Sequence, residues 1–401
     1  MKKISKIVFF LYLLLLVIFP LGVFIRITPL TNVNIYPQDL LVGLIFMITL
    51  IIYIRNGSEY KNIFKSIFLF NVIAIISLII NSARLSGTEL LISSSYLLRL
   101  DAYFSLVFLG LFNFSKPQIK ILEKTFLISS LTVVVLGFVQ FVFYNNLRNL
   151  YYLGWDEHLY RMFSTFLDPN FMGLYLALLS IFIIGQIIKT NKKNTYFYSH
   201  FIFAGITLLA LILTYSRTAI ISFALGTAFL TIYLNKIKIF VVLIILLFGG
   251  VLALSNFYIE GMNPVRIASS EARLESMGEA LEIFSDSPIY GVGFNTYRYA
   301  QIKKGFRDEK LSIVSNADAG TDNSFLFVLA TTGVIGIFTY LNIWKQIIVK
   351  IRKLSISNKA IAFSIIVTLF SASFFINGLF YMPIMLWVFV YFGMHVLKEK
   401  N

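Results

Sequence analysis

The sequence predicts an all-α integral membrane protein with about twelve transmembrane helices and one large extracytoplasmic loop that contains short helices. The first observation is composition: 58% of the 401 residues are hydrophobic, 13% are charged, and the mean hydropathy is +0.82. A soluble domain is about half apolar and a quarter charged, so lipid must cover much of this chain. The second observation is the recurrence of long apolar stretches, and the third is the concentration of lysines in alternate short loops.

Apolar stretches as long as the roughly 17–25 residues that a helix needs to cross the hydrocarbon core recur throughout the chain. The opening MKKISK is followed by such a stretch, which exceeds the roughly 7–15 residues of a signal-peptide core and has no small-residue cleavage site after it. We therefore interpret it as a first span that the mature protein keeps. The predicted spans lie near 7–25, 38–54, 67–83, 96–112, 125–144, 171–188, 200–215, 218–234, 239–258, 324–344, 360–380 and 384–397.

Basic residues fix the predicted orientation of these spans. They fill every second loop, and the positive-inside rule makes those loops cytoplasmic. Both termini are then cytoplasmic, as an even number of spans requires. The formal net charge of +15 is thus a topology signal, and we expect no nucleic-acid partner. The loop residues that carry this argument include Lys3, Lys6, Arg55, Lys61, Lys65, Lys116, Lys120, Lys124, Lys236, Lys238, Lys345, Lys350, Arg352, Lys353 and Lys359.

The predicted organisation has three parts. Residues 1–258 hold nine spans and an external segment near 145–170, residues 259–323 form an extracytoplasmic loop domain, and residues 324–401 hold the last three spans. The loop domain contains ten of the 19 acidic residues, so candidate acid–base groups are concentrated outside the cytoplasm.

Several kinds of chemistry are excluded by what the sequence lacks. Without cysteine there is no disulfide, thiolate catalysis or Cys-based metal site. The three histidines lie far apart in sequence and form no metal-ligand spacing. No GxxxxGK[ST] phosphate loop is present, so we expect an activity on the external side that does not use ATP.

Arg217, in LTYSRTAIIS, lies where two predicted spans meet with almost no loop. An arginine near the membrane is costly unless it snorkels, pairs with a charge or binds a ligand. Arg217 is therefore either a binding residue or an interfacial arginine that anchors a tight hairpin.

Arg273 lies in EARLESMGEALEIF, which has the pattern of an amphipathic helix. Its position groups it with the apolar face, and an arginine held away from bulk water needs an anionic partner. A bound phosphate suits its planar fork, and a carboxylate such as Asp286 would also serve. We interpret the acidic face as solvated. The apolar face comprises Leu274, Met277, Leu281 and Phe284, and the acidic face comprises Glu271, Glu275, Glu279 and Glu282.

The segment SNADAGTDNSFL places Asp318 and Asp322 just before a predicted span. A carboxylate at the membrane boundary could act as a general base, with a pKa raised by partial burial. Alternatively, Asp322 or Ser324 caps the helix that follows.

Two further segments have the composition of binding or turn regions. YLGWDEHLYRMFSTFLDPNFMG mixes aromatic and polar residues, which suits sugar rings and equally suits an interfacial aromatic belt. GVGFNTY has closely spaced glycines but neither follows a clear strand nor opens a convincing helix, so it predicts a tight turn and not a dinucleotide site.

Four blocks together resemble the O-antigen ligase and polysaccharide polymerase family of bacterial envelopes. RMFSTFLDPNFMGLYLAL resembles the family's arginine and Pro-Asn block, and LTYSRTAIISFALG its Ser-Arg hairpin. ARLESMGEALEIFSDSPIYGVGFNTY resembles its loop helix with Pro and Gly-x-Gly, and DNSFLFVLATTGVIG its His-Asn or Asp-Asn block. The blocks cover residues 161 to 336, in the order that the family shows.

The resemblance implies a glycosyltransferase that uses a polyprenyl-diphosphate-linked oligosaccharide at the outer face of the cytoplasmic membrane. By this resemblance Arg217 and Arg273 bind the donor diphosphate, and Asp322 acts as the base. Arg161, Asn170 and Asn323 are expected to contact the glycan. The family uses arginines to stabilise the leaving diphosphate, so we expect no metal and no cofactor.

Aspartate at position 322 departs from the family's ligases, which tend to have histidine before the asparagine. It favours the polymerase branch or a different base. A polymerase is therefore the leading hypothesis, and a ligase that moves a finished glycan to a lipid or wall acceptor is the second. A transporter of polysaccharide or lipid intermediate is the third, although no repeat is apparent. The expected partners are the lipid-linked donor, the bilayer, and chain-length regulator and flippase proteins.

Overall fold

α-Helices make up nearly all of the regular structure in the computed structural model, which describes residues 2–30, 33–56, 60–153, 155–190, 195–254, 267–308 and 319–395. Each predicted span overlaps one of them. The helices are α1 Lys2–Ile18, α2 Pro37–Asn56, α3 Lys61–Asn81, α4 Gly87–Phe104, α5 Lys116–Phe143, α6 Pro169–Lys189, α7 Thr195–Leu213, α8 Arg217–Tyr233, α9 Ile237–Leu254, α10 Ile267–Asp286, α11 Tyr297–Lys303, α12 Ser324–Ile351, α13 Ile356–Ser373 and α14 Met382–His395.

The helix lengths confirm the membrane class. The helices long and apolar enough to cross a bilayer are α2, α3, α5, α6, α12 and α13. α1 and α4 join them through 3₁₀ extensions over Phe19–Leu21 and Ser105–Phe112. α7, α8, α9 and α14 are apolar but shorter. The protein is thus an all-α membrane protein, while the number twelve stays a prediction.

The structure contains one element that the all-α prediction did not include. Strands β1 (Ile27–Leu30) and β2 (Val33–Ile35) form a small antiparallel hairpin between α1 and α2, with Ile27 opposite Ile35. The segment is rich in the β-branched residues that favour strands. It was too short to stand out beside the long apolar stretches.

Helix α6 lies at the centre of the bundle. Its residues from Met172 to Gly185 are all buried, and it packs against α7, α8 and α13. A helix that is apolar on every side belongs in such a position. We call the end of the bundle at which α6, α8 and α12 begin the loop end.

The predicted tight turn at GVGFNTY is confirmed, and it docks onto a break in α12. Gly333 has a φ of 69°, which interrupts the helix and frees backbone groups around it. The amides of Val292 and Gly293 donate to the carbonyls of Ala330 and Thr331, both at 3.0 Å. The turn therefore replaces hydrogen bonds that the interrupted helix cannot make.

The predicted loop domain is described over two stretches, residues 267–308 and 319–323. They contain α10, the docked turn and α11. Asp318 lies outside the described residues, as do 259–266, 309–317 and the C-terminal residues 396–401.

Candidate functional site

Three helix N-termini with side-chain caps meet at the loop end. Asp168 caps α6 by accepting from the amides of Asn170 (2.6 Å) and Phe171 (3.3 Å). Ser216 caps α8 through the Ala219 amide at 3.4 Å. Asn323 caps α12. Free backbone N–H groups and the helix dipole make each such terminus favourable for a negative charge.

The buried side chain of Arg161 fixes the turn between α7 and α8. Its Nε donates to the Thr214 carbonyl at 2.9 Å, and its Nη2 donates to Asn170 Oδ1 at 3.2 Å. Asn170 Oδ1 also accepts from Ser216 Oγ at 3.3 Å. Arg161 and Asn170 thus connect the start of α6 with the start of α8, whereas their contact with a glycan stays a prediction.

Gly173 allows this close approach. A Cβ at Gly173 would lie 2.7 Å from the Ala219 Cβ and 3.0 Å from the Ser216 Cβ, closer than side-chain atoms tolerate. The glycine four residues after Pro169 therefore lets the turn rest directly on α6, which holds the N-terminus of α8 in place.

Arg217 is the first residue of α8, and its side chain is exposed. The preceding Tyr215 has a left-handed φ of 50°, which turns the chain sharply between α7 and α8. The tight hairpin that the sequence predicts is therefore confirmed, and it presents Arg217 at the loop end beside the N-terminus of α8.

Arg273 reaches the same place from the loop domain. Its Nη1 donates to Thr218 Oγ1 at 3.0 Å, and Thr218 is the neighbour of Arg217. Asp286, the internal partner that we considered for Arg273, instead lies 3.0 Å from Lys304 Nζ. The structure thus brings Arg273 to the first turn of α8 and leaves Asp286 at the other end of α10.

The faces of α10 differ from the predicted ones. Glu279, expected on the solvated face, is only 8% exposed and binds both guanidinium nitrogens of Arg307, at 2.7 and 3.1 Å. Leu274 and Leu281, expected to face protein or membrane, are 68% and 51% exposed and so do not face protein. The helical-wheel prediction is wrong at Glu279 because α11 and the chain after it cover the side of α10 that carries this residue.

Asp322 lies directly against α10. Its amide donates to Ser276 Oγ at 3.3 Å, and the same Oγ lies 3.1 Å from Thr321 Oγ1. Ser276 is one turn after Arg273, so a single helix contacts Asp322 and positions the guanidinium. The Asp322 side chain is exposed.

The surroundings of Asp322 raise the pKa of its carboxyl group. Desolvation by the nearby protein is the largest cause, and the Arg273 guanidinium opposes it by favouring the charged form. The carboxylates of Asp168 and Asp156 raise the pKa further. The exposed carboxyl is therefore better suited to hold a proton than an ordinary aspartate is.

Asn323, and neither Asp322 nor Ser324, caps α12. Its Oδ1 accepts from the amides of Phe325 (2.9 Å) and Leu326 (3.0 Å). The capping role that we considered for Asp322 is thus wrong, and the Asp322 carboxylate does not serve the helix. The cap occupies the amide oxygen of Asn323, which limits what this side chain can offer to a glycan.

Sequence reasoning gave no individual role to Thr218, Asp156, Asp168 or Ser276. The Asp-Pro pair at 168–169 was a usable signal, because a cap followed by proline at the first helical position marks a helix start. Thr218 and Ser276 gave no such signal. Among the described residues, no group of three or more His, Asp or Glu side chains is arranged to hold a metal ion.

Part of the chain matches a known protein family. Residues 202–341 match the sequence profile of a family described as O-antigen ligase (Wzy_C). The matched region contains Arg217, Arg273 and Asp322, and it leaves out Arg161 and Asn170. A search of curated proteins found no match to the chain.

Proposed function

We propose that the chain is a polysaccharide polymerase of the O-antigen ligase/polymerase family, whose sequence profile residues 202–341 match. It transfers an oligosaccharide from a polyprenyl-diphosphate donor to a sugar hydroxyl on the outer face of the cytoplasmic membrane. Both termini are cytoplasmic, and the loop end faces outward.

One observation carries the proposal: Arg273 joins the beginning of α8 to Asp322. It donates a hydrogen bond to Thr218, the residue after Arg217, and its charge acts on the Asp322 carboxyl. Two arginines suit a diphosphate, because a guanidinium is always charged and its fork matches phosphate oxygens. The N-terminus of α8 adds a favourable dipole to the same anion.

The reaction then follows from these positions. Asp322 accepts the proton of the acceptor hydroxyl, whose oxygen attacks the anomeric carbon of the donor's reducing-end sugar. The bond from that carbon to the phosphate oxygen breaks, and its electrons leave with the polyprenyl diphosphate. Arg217 and Arg273 stabilise the charge on the leaving group, as preorganised cations do in phosphate transfer. A single displacement of this kind inverts the anomeric configuration.

Two alternatives, a ligase and a transporter, differ from the polymerase in what they would produce. A ligase would use the same groups to move a finished glycan to a lipid or wall acceptor, and the description of the matched family favours it. Aspartate at position 322 favours the polymerase. A transporter would move the lipid-linked glycan without forming a glycosidic bond.

The test is a product assay in proteoliposomes with a polyprenyl-diphosphate oligosaccharide donor. A polymerase gives a ladder of products that differ by one repeat unit, and a ligase gives a single product on an added acceptor. Arg217→Ala and Arg273→Ala are expected to abolish the ladder, and Arg148→Ala is the control because that exposed arginine pairs with Glu157. Movement of the lipid across the bilayer without any glycosidic bond would contradict the proposal.

A further inference from the structure

A row of aromatic rings alternates with arginines at the loop end of the N-terminal half. We call Trp155, Tyr36 and Tyr96 the aromatic row. The Arg26 guanidinium carbon lies 5.9 Å from the centre of the Trp155 ring. The Arg99 guanidinium carbon lies 5.7 Å from the Tyr36 ring and 5.0 Å from the Tyr96 ring. These distances are those of cation–π contacts.

The row rests on a rigid support. Arg99 forms a salt bridge with Asp39 at 2.5 Å, near the start of α2. Asp39 also accepts from the Tyr103 hydroxyl at 2.8 Å and from the Tyr36 amide at 2.9 Å. Because several groups hold Arg99, the rings beside it keep fixed positions, as preorganised binding surfaces do.

The row begins beside the candidate site. Trp155 is followed by Asp156, whose charge raises the pKa of Asp322. At Tyr36, burial raises the hydroxyl pKa to about 12, and both Arg99 and Arg26 oppose that rise. Tyr36 therefore interacts electrostatically with both arginines, which links the Arg26–Trp155 contact to the Arg99–Tyr96 contact.

The row also remains accessible. Trp155, Tyr96 and Arg26 are each partly exposed. Tyr36 is nearly buried and belongs to the support of the row. A pyranose ring presents an apolar face that stacks on aromatic rings and hydroxyls that accept hydrogen bonds from guanidinium groups. Alternating aromatic rings and arginines offer both kinds of contact.

We propose that the aromatic row is a subsite for the oligosaccharide chain of the acceptor. The inference rests on the proposed function, and it adds a substrate-recognition surface to it. The row lies wholly outside residues 202–341, whereas Arg217, Arg273 and Asp322 lie inside them. The groups that handle the reacting atoms thus belong to the family-matched region, and glycan recognition belongs to the N-terminal half.

Trp155 provides a direct binding signal. The other two tryptophans, Trp344 and Trp387, are 1% and 0% exposed, so a soluble glycan can quench only Trp155 directly. The probe is the repeat-unit oligosaccharide that mild acid releases from the donor. We expect saturable quenching in the wild type and in Asp322→Ala, and none in Trp155→Phe. A signal unchanged in Trp155→Phe, or no saturable signal in the wild type, would overturn the subsite.

Kinetics test the same surface independently. Trp155→Ala and Tyr96→Ala are expected to raise the acceptor KM about tenfold, the effect of losing one stacked ring, with kcat changed by less than about threefold. Tyr198→Ala is the control, because that tyrosine is 64% exposed at the opposite end of the bundle. Thermal unfolding checks that each variant is folded.

The two proposals fail in different ways. An unchanged KM in both folded variants would overturn the subsite and leave the polymerase proposal standing, and would agree with an ordinary interfacial aromatic belt. Saturable glycan binding without any product in the wild type would overturn the polymerase proposal and leave the subsite standing.

Discussion

Arg273 donates a hydrogen bond from Nη1 to Thr218 Oγ1 at 3.0 Å, across 55 positions of sequence. This contact joins the loop domain to the membrane bundle at the point where α8 begins. The same guanidinium opposes the rise in the Asp322 pKa. Under the proposed function, one side chain therefore binds the donor and also favours the charged form of the Asp322 carboxyl.

Replacing Asp322 by asparagine tests the base. Asp322→Asn is expected to lower kcat by about 10²–10⁴-fold, the usual contribution of a general base. In the wild type, activity should fall as the pH drops through the pKa of Asp322. Because that pKa is raised, the loss should begin at a higher pH than for an ordinary aspartate. Full activity of Asp322→Asn across the pH–rate profile would contradict the assignment of Asp322 as the base.

Asp322→Asn should raise the stability of the fold while it lowers the activity. A raised pKa means that the folded state disfavours the charged carboxylate more than the unfolded state does, so the charge destabilises the fold above that pKa. Asp322→Asn should therefore raise the melting temperature at neutral pH. The difference should vanish at a pH below the ordinary aspartate pKa, where both side chains are neutral. Thermal unfolding at the two pH values measures it.

Asp156 should raise the pKa of the proposed base, Asp322, without contacting the reacting atoms. Its carboxylate raises the pKa of Asp322, so Asp156→Asn should shift the acid limb of the pH–rate profile to lower pH. Glu157→Gln is a matched control, because the neighbouring Glu157 pairs with Arg148 at 3.1 Å. An equal shift in both variants would mean that overall charge, and not the position of Asp156, is responsible.

Arg217 should act through the diphosphate. Arg217→Ala is expected to lower kcat/KM by about 10²–10³-fold, as the loss of one charge-stabilising donor does at other sites. Arg217→Lys should recover only part of the activity, because an ammonium lacks the bidentate fork. Assays with a truncated monophosphate donor should show a smaller effect of the same substitutions. Equal effects on both donors would place Arg217 away from the diphosphate.

The fold class could be predicted from the sequence because lipid contact demands apolar residues, and composition records them directly. The residue that caps α12 could not be predicted in this way. Asp322, Asn323 and Ser324 are all good capping residues, and only the path of the chain decides that Asn323 takes the role. The apolar sequence neighbours of Arg217 and Arg273 predict anionic ligands for these side chains, and this stays a prediction. The contact that joins them through Thr218 depends on a fold that closes a long sequence separation.

Glu279 shows why the helical wheel was insufficient. The wheel reports spacing within α10 and contains no information about Arg307, which lies 28 positions away and covers that side. Gln301 Nε2 also donates to Glu279 at 3.1 Å. A buried carboxylate is tolerated here because cationic and amide donors surround it.

Breaking the ion pair between Glu279 and Arg307 should destabilise the loop domain. Glu279→Ala removes the partner of a partly buried arginine, and we expect a loss of about 2–3 kcal/mol, below the full cost of breaking a buried pair because Arg307 is partly exposed. Glu275→Ala, on the exposed side of α10, is the matched control and should be near neutral. Urea unfolding measures both, and equal destabilisation would contradict a special role for Glu279.

Gly333 should be intolerant of any side chain. Its φ of 69° is a left-handed conformation, and a Cβ there would clash with the carbonyl oxygen of Ile289 in the docked turn. Gly333→Ala is therefore expected to cost at least about 2 kcal/mol and to lower activity, because the turn follows α10, which carries Arg273. Gly278→Ala is the control, since its helical position has open space and alanine favours helix there by up to about 1 kcal/mol. Melting temperatures should therefore move in opposite directions, and a Gly333→Ala protein as stable as the wild type would mean that the docked turn does not depend on the break in α12.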